Sequence, residues 1–184
     1  MNYGLPYKGS KNTIAQQVVA ALPRCDWFLD ACCGGGAITQ CAAMSGRFKH
    51  VVGNDKNAAV VDLLEAVLVT KGQLDFEHPR PCSRRDFAES LERIRSGTYT
   101  LWDVVNKLCA SFGNDGRTYL YGKDIEDFKL TAERMLTEWT LAGRREAYRQ
   151  FIGMLTTGGC PVIPSMTLGS SAWSTSRSSS NWNA

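Results

Sequence analysis

Residues Trp27–Asn57, WFLDACCGGGAITQCAAMSGRFKHVVGNDKN, contain the pattern that decides the fold. The apolar run Trp27–Ala31 is followed closely by the three consecutive glycines Gly34–Gly36. This pattern predicts a strand that leaves a sheet through a turn without bulky side chains. Residues Ala37–Ser45 then predict a helix, and His50–Gly53 predict a second strand. The order strand, glycine turn, helix, strand indicates the beginning of an α/β fold.

An acidic residue follows the second predicted strand. Asp55 lies 21 residues after Gly34, close to the roughly 20 residues between the glycine turn and the ribose-binding acid of nucleotide sites. Glycines let a ligand approach main-chain N–H groups, and the next helix directs its N-terminus at the same space. No Gly-Lys-Ser/Thr follows, and Thr39 stands where a dinucleotide site has its third glycine. The features predict an adenosine-containing cofactor without a pyrophosphate; a plain tight connection is the alternative.

The composition is that of one soluble globular domain. The chain has 184 residues, of which 43% are hydrophobic and 21% charged, with a net charge of +3. This charge permits a nucleic-acid partner without requiring one. Seven cysteines without Cys-x-x-Cys spacing and only two histidines predict neither a disulfide framework nor a metal site. Because no leader-like segment and no run of 18 apolar residues occurs, we expect a cytoplasmic protein without membrane association.

The segment Tyr7–Lys11, YKGSK, is a short basic loop ahead of a predicted helix. Thr13 and Gln16 have the spacing of a capping box, and Pro23 ends the helix after Leu22. A solvated loop whose lysines bind nothing is the simpler interpretation. Its position one helix before the glycine turn favours a role in the same site.

Three motifs in this order resemble the DNA adenine-N6 methylases. In that family an aromatic-x-Gly-Gly-Lys-type segment comes first, an Asp/Glu-x-Phe-x-Gly-x-Gly-type turn follows, and an Asn-Asp-like acid comes after the second strand. The corresponding residues here are Tyr7–Lys11, Asp30–Gly36 and Asn54–Asp55. Ser10 replaces one glycine and Cys32 replaces the aromatic residue.

The resemblance implies a fold, a cofactor and a set of binding residues. The fold is α/β, a partial Rossmann-like methyltransferase core with an α-rich recognition segment. The cofactor is S-adenosylmethionine, and the substrate is double-stranded DNA, methylated at adenine N6 as in restriction-modification. Lys11 would lie close to the methionine carboxylate and Asp55 would accept hydrogen bonds from the ribose hydroxyls. The implied cofactor-binding residues are Tyr7, Lys11, Asp30, Gly34, Gly36 and Asp55.

Much of the remaining chain predicts helices that pack rather than bind. Ala58–Val69 has its apolar residues on one face. Arg84–Arg95 alternates arginines with acids, which is typical of a solvated helix face, and nucleic-acid binding is the alternative. Thr100 or a neighbour caps a helix through Leu101–Leu108. Two further segments are helix-compatible: Glu126–Leu141 and Arg144–Leu155.

Ser111–Lys123, SFGNDGRTYLYGK, is the second informative stretch. Its glycines, Asn and Asp predict a turn-rich loop or a hairpin. Arg117 and Lys123 supply cations for phosphates, and Tyr119 supplies a ring for stacking on a base. An ordinary hairpin whose tyrosines pack on a neighbour is the alternative. The resemblance, which places DNA recognition after the cofactor half, favours Arg117, Tyr119 and Lys123 as DNA-binding residues.

The catalytic tetrapeptide of the family, Asp/Asn-Pro-Pro-Tyr/Phe, does not occur in the 184 residues. Its polar groups accept hydrogen bonds from the adenine N6 amine, and its ring stacks on the flipped base. Cys160–Pro164 offers neither group in that arrangement, so we assign no catalytic residue and expect the chain to be inactive by itself. Two alternatives remain: a non-catalytic protein that binds S-adenosylmethionine or DNA, and an enzyme that uses another nucleotide-like cofactor.

The sequence predicts three segments. Residues 1–75 form the S-adenosylmethionine-binding part, 76–155 the helical DNA-recognition segment, and 156–184 a low-complexity, disordered tail. From Phe151 onward Arg177 is the only charged residue, and Ser170–Ala184 is rich in serine, a composition that does not bury enough surface to fold. We also expect the strand Trp27–Ala31 to present an apolar edge prone to association.

Overall fold

The computed structural model describes residues 2–69 and 81–157. The fold is mixed α/β, with helix predominating. Within these ranges the elements are α1 (Ala15–Ala21), β1 (Trp27–Asp30), α2 (Ala37–Met44), β2 (His50–Gly53), α3 (Ala58–Val69), α4 (Arg84–Ser96), α5 (Leu101–Cys109), α6 (Glu126–Thr137) and α7 (Leu141–Thr156). Short 3₁₀ helices are formed by Asn12–Ile14, Phe112–Asn114 and Lys123–Ile125.

The two strands pair in parallel, from Trp27 opposite His50 to Asp30 opposite Gly53. Parallel neighbours need a crossover, and α2 supplies it. The predicted bounds of β2 and α3 are confirmed, and β1 ends one residue before the predicted bound. In the described part of the chain the sheet has these two strands, so the larger Rossmann-like sheet expected from the resemblance is not confirmed here.

One face of the sheet is covered and the other is open. Phe28 and Val51 pack against a cluster formed mainly by α1 and α2. On the opposite face Trp27 is 65% exposed and Leu29 64% exposed. The Trp27 ring stacks on His50 with centroids 4.3 Å apart. Parallel sheets are usually covered on both faces, so this open apolar face is an unusual surface.

A second hydrophobic cluster connects the two predicted functional segments. Val60 and Leu63 of α3 pack against Val104 and Leu108 of α5, and all four are buried. Tyr7 packs against the same cluster. The predicted boundary between residues 75 and 76 lies outside the described residues, but the helices on its two sides share this core.

Side-chain caps fix the starts of α4 and α5. Ser83 and Asp86 form a capping box at α4, and Thr100 and Asp103 form another at α5; each satisfies two otherwise unpaired N–H groups. The prediction for Thr100 is confirmed. The predicted capping box at Thr13 is wrong, because no side chain caps α1.

Asp103 also forms the main buried charge contact of the helical segment. Its Oδ1 accepts a hydrogen bond from Nη2 of Arg93 at 2.6 Å, and its Oδ2 accepts from the N–H and the hydroxyl of Thr100. Burial would raise the Asp103 pKa, but the donors outweigh burial and lower this pKa to about 2. The carboxylate therefore stays ionised and fixes α4 against α5.

Helices α6 and α7 form a hairpin in which Phe128 packs on Phe151, with ring centroids 4.8 Å apart. Arg84 ties this hairpin to α4, because its Nε donates to Glu126 Oε2 at 3.0 Å. The predicted solvated face of α4 therefore holds for residues such as Arg85, which is exposed, but not for Arg84.

No helix in the described ranges is long and apolar enough to cross a membrane. The same residues contain no cluster of three or more His, Cys, Asp or Glu side chains suited to a metal ion. The predicted tail and Cys160–Pro164 lie outside the described residues.

Candidate functional site

The two strands end beside each other, at the edge of the sheet where the predicted site lies. The Cys33 N–H donates to Asn54 O at 2.8 Å, and the Asn54 N–H donates to Asp30 O at 2.8 Å. The Asn54 side chain donates to Ala31 O at 3.0 Å. These bonds hold the turn after β1 against the chain that leaves β2, and so bring Asp30 and Asp55 to the same edge.

The Asp55 carboxylate connects the glycine turn to the start of α3. Its Oδ2 accepts a hydrogen bond from the Gly34 N–H and its Oδ1 from the Asn57 N–H, each at 2.9 Å. Gly34 has a φ of +51°, a conformation that residues with a Cβ rarely adopt. A carboxylate has about four lone-pair sites, so Asp55 retains capacity for further donors.

The loop Tyr7–Lys11 covers the glycine turn at close range. A Cβ at Gly34 would lie 3.1 Å from Cε1 of Tyr7, and a Cβ at Gly35 would lie 2.7 Å from the Tyr7 Cβ. The Leu5 N–H donates to Gly35 O at 2.7 Å. Side chains at these glycine positions would therefore push the loop away from the turn.

A cavity of about 290 Å³ lies between this loop, the glycine turn and the end of β2. Five of the six predicted cofactor residues line it: Tyr7, Lys11, Asp30, Gly34 and Asp55. The Lys11 ammonium donates to Gly9 O at 2.8 Å. Burial, and then the carboxylates of Asp30 and Asp55, raise the pKa of the Cys33 thiol. The cavity combines two lysines, Lys8 and Lys11, with two carboxylates and bare backbone, and its volume is near the lower end of the roughly 300–1,000 Å³ of small-molecule sites.

Gly36, the sixth predicted residue, does not line this polar cavity. It has a φ of +77° at the start of α2, and a Cβ there would lie 2.8 Å from Cδ2 of Leu64. Gly36 lines a larger, mainly apolar cavity of about 480 Å³ together with Val51 and Leu68. Its role in the structure is to let α2 pack closely on α3. We assign the site to the smaller cavity because that cavity holds the charged groups.

Thr39 lines the larger cavity, and it holds the site residue Asp30 in a contact that sequence reasoning missed. Its Oγ1 donates to Asp30 Oδ2 at 2.8 Å. A Cβ at Gly53 would lie 3.1 Å from the Thr39 Cγ2, so Thr39 also packs against the end of β2. One sequence feature could have predicted this contact. The strand ends in an acid, Asp30, and the first turn of the next helix contains a hydroxyl residue, Thr39.

The comparison with known families agrees with this arrangement. The sequence profile described as MethyltransfD12, D12 class N6 adenine-specific DNA methyltransferase, matches residues 7–100, which is 94 of the 184 residues. The chain belongs to this family. Neither the curated proteins nor the solved structures that were compared include a significant match.

The matched range of the D12 family contains every residue that lines the polar cavity. It ends at residue 100, before the loop Ser111–Lys123 predicted to bind DNA. The family match therefore gives no information on the function of that loop.

Side-chain hydrogen bonds brace the loop Ser111–Lys123. The Ser111 Oγ donates to Leu108 O at 3.1 Å and accepts from the Gly116 N–H at 2.9 Å. An antiparallel bridge pairs Ser111 with Tyr119. The Asp115 Oδ1 accepts from the N–H groups of the two residues that follow Gly116, at 2.8 and 2.9 Å. The predicted turn-rich loop is thus present, in a fixed conformation.

The three predicted DNA-binding residues have different environments. Arg117 and Lys123 are exposed. Tyr119 is only 8% exposed, and its hydroxyl donates to Cys82 O at 2.8 Å. The Arg84 guanidinium lies over the Tyr119 ring, 4.7 Å from its centroid. The Tyr119 ring is therefore enclosed by protein, and the predicted stacking on a base does not agree with this placement; packing on a neighbour, the alternative, describes it.

The loop Ser111–Lys123 and the polar cavity are neighbours. The Lys8 N–H donates to Asn114 O at 3.2 Å, and Lys8 lines the polar cavity. The pKa of Asp115 is lowered mainly by hydrogen bonds from Thr118 and Arg117, with a smaller contribution from the charge of Lys8. A ligand on this loop would thus lie beside the cavity.

Proposed function

We propose that this D12-class chain binds S-adenosylmethionine in the polar cavity and double-stranded DNA on the adjoining loop, as the binding part of a DNA adenine-N6 methyltransferase. One observation carries the proposal. Three stretches that are separate in sequence, Tyr7–Lys11, Asp30–Gly35 and Asp55, line one cavity of about 290 Å³. The sheet β1–β2 with α2 and α3 is then the beginning of a Rossmann-like core.

The groups in the cavity match the parts of S-adenosylmethionine. Asp55 keeps lone pairs for the ribose hydroxyls after accepting two backbone hydrogen bonds. Lys11 suits the methionine carboxylate, because its present acceptor is a neutral carbonyl in its own loop. The bare backbone at Gly34 admits a ligand at close range. When bound, the cofactor supplies an electrophilic methyl group.

The same residues explain why a cofactor with a pyrophosphate is disfavoured. Asp30 and Asp55 both line the cavity, and their carboxylates would repel a diphosphate near the turn. Lys11 is suited to a single carboxylate. A nucleoside carrying a zwitterionic amino-acid tail fits a cavity lined by two lysines and two carboxylates.

The test of the cofactor proposal uses Lys11→Met and two ligands. S-adenosylmethionine has the carboxylate that Lys11 would pair with, whereas 5′-methylthioadenosine lacks it. We expect Lys11→Met to weaken binding of S-adenosylmethionine by about 1.5–3 kcal/mol, the range for a hydrogen bond to a charged group, and to leave binding of 5′-methylthioadenosine unchanged. Isothermal titration calorimetry measures both affinities.

Lys49→Met is the matched control, since Lys49 pairs with Asp26 on the surface and does not line the cavity. It should change neither affinity. Equal loss for both ligands would mean that Lys11 acts through the fold of the loop. If the unaltered chain binds NAD in preference to S-adenosylmethionine, or binds neither, the proposed cofactor is wrong.

We assign no residue to the chemical step. No Asp-Pro-Pro-Tyr-type tetrapeptide occurs in the printed sequence. We therefore propose that the chain alone binds but does not methylate. An assay with radiolabelled S-adenosylmethionine and mixed-sequence duplex DNA tests this, and incorporation above a no-protein control would refute it.

A further inference from the structure

Two cationic residues, Lys107 of α5 and Arg117 of the loop Ser111–Lys123, are neighbours through Gly116. A Cβ at Gly116 would lie 3.0 Å from Cε of Lys107, so the Lys107 side chain of α5 covers the backbone of the loop. The next residue, Arg117, lowers the pKa of Lys107 in addition to the larger effect of burial. Among residues 2–69 and 81–157, no carboxylate forms an ion pair with Lys107 or Arg117.

Two neighbouring cations without an acidic partner lower the stability of the folded chain, and a bound anion would offset this loss. Burial of Lys107 costs desolvation, which is the larger effect on its pKa, and the like charge of the neighbouring Arg117 adds to this cost. The position of Lys107 in the last turn of α5 is favourable to a cation. That position accounts for a lysine at the end of α5. It does not account for a second cation, Arg117, on the adjoining loop.

The loop Ser111–Lys123 is held by hydrogen bonds that involve neither the Lys107 side chain nor the Arg117 side chain. Ser111 and Asp115 fix the loop through hydrogen bonds to its backbone. Asp115 is the nearest acid in the loop sequence; its Oδ1 accepts two backbone N–H bonds, and it forms no ion pair with either cation. Among the described residues the guanidinium of Arg117 and the ammonium of Lys107 thus have no carboxylate partner and can bind an external anion.

The location of the pair identifies the anion. The backbone bond from Lys8 to Asn114 places the loop beside the polar cavity. If the cavity holds the methyl donor, as proposed above, the acceptor base must approach the same place, and its flanking phosphate is the anion that arrives with it. Guanidinium and ammonium groups are the usual partners of DNA phosphates.

We propose that Lys107 and Arg117 together hold one phosphate of the DNA backbone next to the base that enters the cavity. This inference rests on the proposed function and adds to it a residue, Lys107, that the sequence pattern did not single out. The phosphate relieves the repulsion between the two cations, and the site thereby fixes the register of the duplex relative to the cavity.

The test compares Lys107→Met, Arg117→Gln and the double variant in duplex-binding titrations at several salt concentrations. Met retains the aliphatic stem that covers Gly116. Each phosphate contact contributes about 0.9 to the slope of log affinity against log salt. If the cations share one phosphate, the double variant should lose about 0.9 in slope; two independent contacts would give a loss of about 1.8.

Thermal unfolding of the free chain supplies a readout that a merely structural role would not give. Removal of one of two repelling cations should leave the melting temperature of Lys107→Met equal to or above that of the unaltered chain, while its duplex affinity falls. A lower melting temperature together with an unchanged salt slope would overturn the proposal in favour of a packing role for Lys107.

Lys129→Met is the charge-matched control, because Lys129 is exposed on α6 outside the pair; its slope should match that of the unaltered chain. An unchanged slope for the double variant would refute the phosphate site, while duplex binding by the unaltered chain would still support the proposed function. Absence of duplex binding by the unaltered chain would refute both. Variants that change affinity for inorganic phosphate but not the duplex slope would identify a small-anion site instead.

Discussion

The two glycine-rich turns of the molecule keep their shapes by different means. Around Gly34–Gly36 the glycines are needed for space: a Cβ at Gly35 would lie 2.9 Å from Leu5 O, and one at Gly4 only 2.4 Å from Gly35 O. In the loop Ser111–Lys123 a Cβ at Gly113 would meet nothing within 4 Å. There the side chains of Ser111 and its neighbours hold the backbone. The first turn depends on close backbone approach, and the second depends on side-chain hydrogen bonds.

The largest effect expected from this difference is that of Gly4→Ala compared with Gly113→Ala. Both glycines have positive φ, +74° and +59°. Either alanine costs about 1–2 kcal/mol for the left-handed conformation, but only Gly4→Ala also forces backbone atoms apart, which adds about 1–3 kcal/mol. Urea unfolding should therefore show a loss of about 2–5 kcal/mol for Gly4→Ala and about 1–2 for Gly113→Ala. Equal losses would contradict the distinction between the turns.

A smaller effect is expected when a hydroxyl that braces the second turn is removed. Ser111 is 2% exposed, and Ser111→Ala leaves the buried Gly116 N–H without an acceptor, which costs about 1–3 kcal/mol. The matched change in the first region is Ser10→Ala, because the Ser10 hydroxyl is exposed and accepts a long bond of 3.3 Å. Ser10→Ala should stay within about 0.5 kcal/mol. Urea unfolding measures both losses of stability, and a larger loss for Ser10→Ala than for Ser111→Ala would contradict this prediction.

The smallest effect concerns pH and is local to the second turn. Hydrogen bonds from the backbone of Thr118 and Arg117 lower the pKa of Asp115. The stabilisation from the Asp115 carboxylate is thus complete above the unfolded-state pKa of about 3.9 and is lost as pH falls through the lower folded-state pKa.

Amide hydrogen exchange checks this prediction. After correction for intrinsic exchange rates, protection at Arg117 and Thr118 should fall below about pH 4, while protection in β1 stays constant. In Asp115→Asn this local pH dependence should disappear. A uniform loss of protection across both turns would show that the loop does not respond separately.

Local sequence patterns correctly predicted those structural features that depend on residues close together in the chain. The bounds of β2 and α3 follow from short apolar patterns, and the cap at Thr100 follows from an acid three residues later. The approach of Asp55 to Gly34 follows from their spacing, because parallel strands end at one edge of the sheet. Thr13 shows the limit of such patterns, since Gln16 donates to Tyr3 instead of completing a capping box.

Long-range contacts could not be predicted in this way. Tyr119 is enclosed because Arg84 and Cys82 come to it from 35 and 37 residues away, and nothing in the loop sequence indicates this. The contact of Gly36 with Leu64 likewise depends on how α2 crosses α3. The DNA-binding roles of Arg117 and Lys123 stay predictions.

The cluster shared by α3 and α5 has a consequence for how the chain can be divided. Val60 and Leu63 on one side and Val104 and Leu108 on the other bury one another across residues 70–80. A cleavage of the peptide chain within that stretch would therefore leave two pieces that expose matching apolar surfaces and reassociate, as noncovalent fragments of small proteins do. The half that contains the polar cavity and the half that contains the loop Ser111–Lys123 are therefore joined by this interface as well as by the backbone.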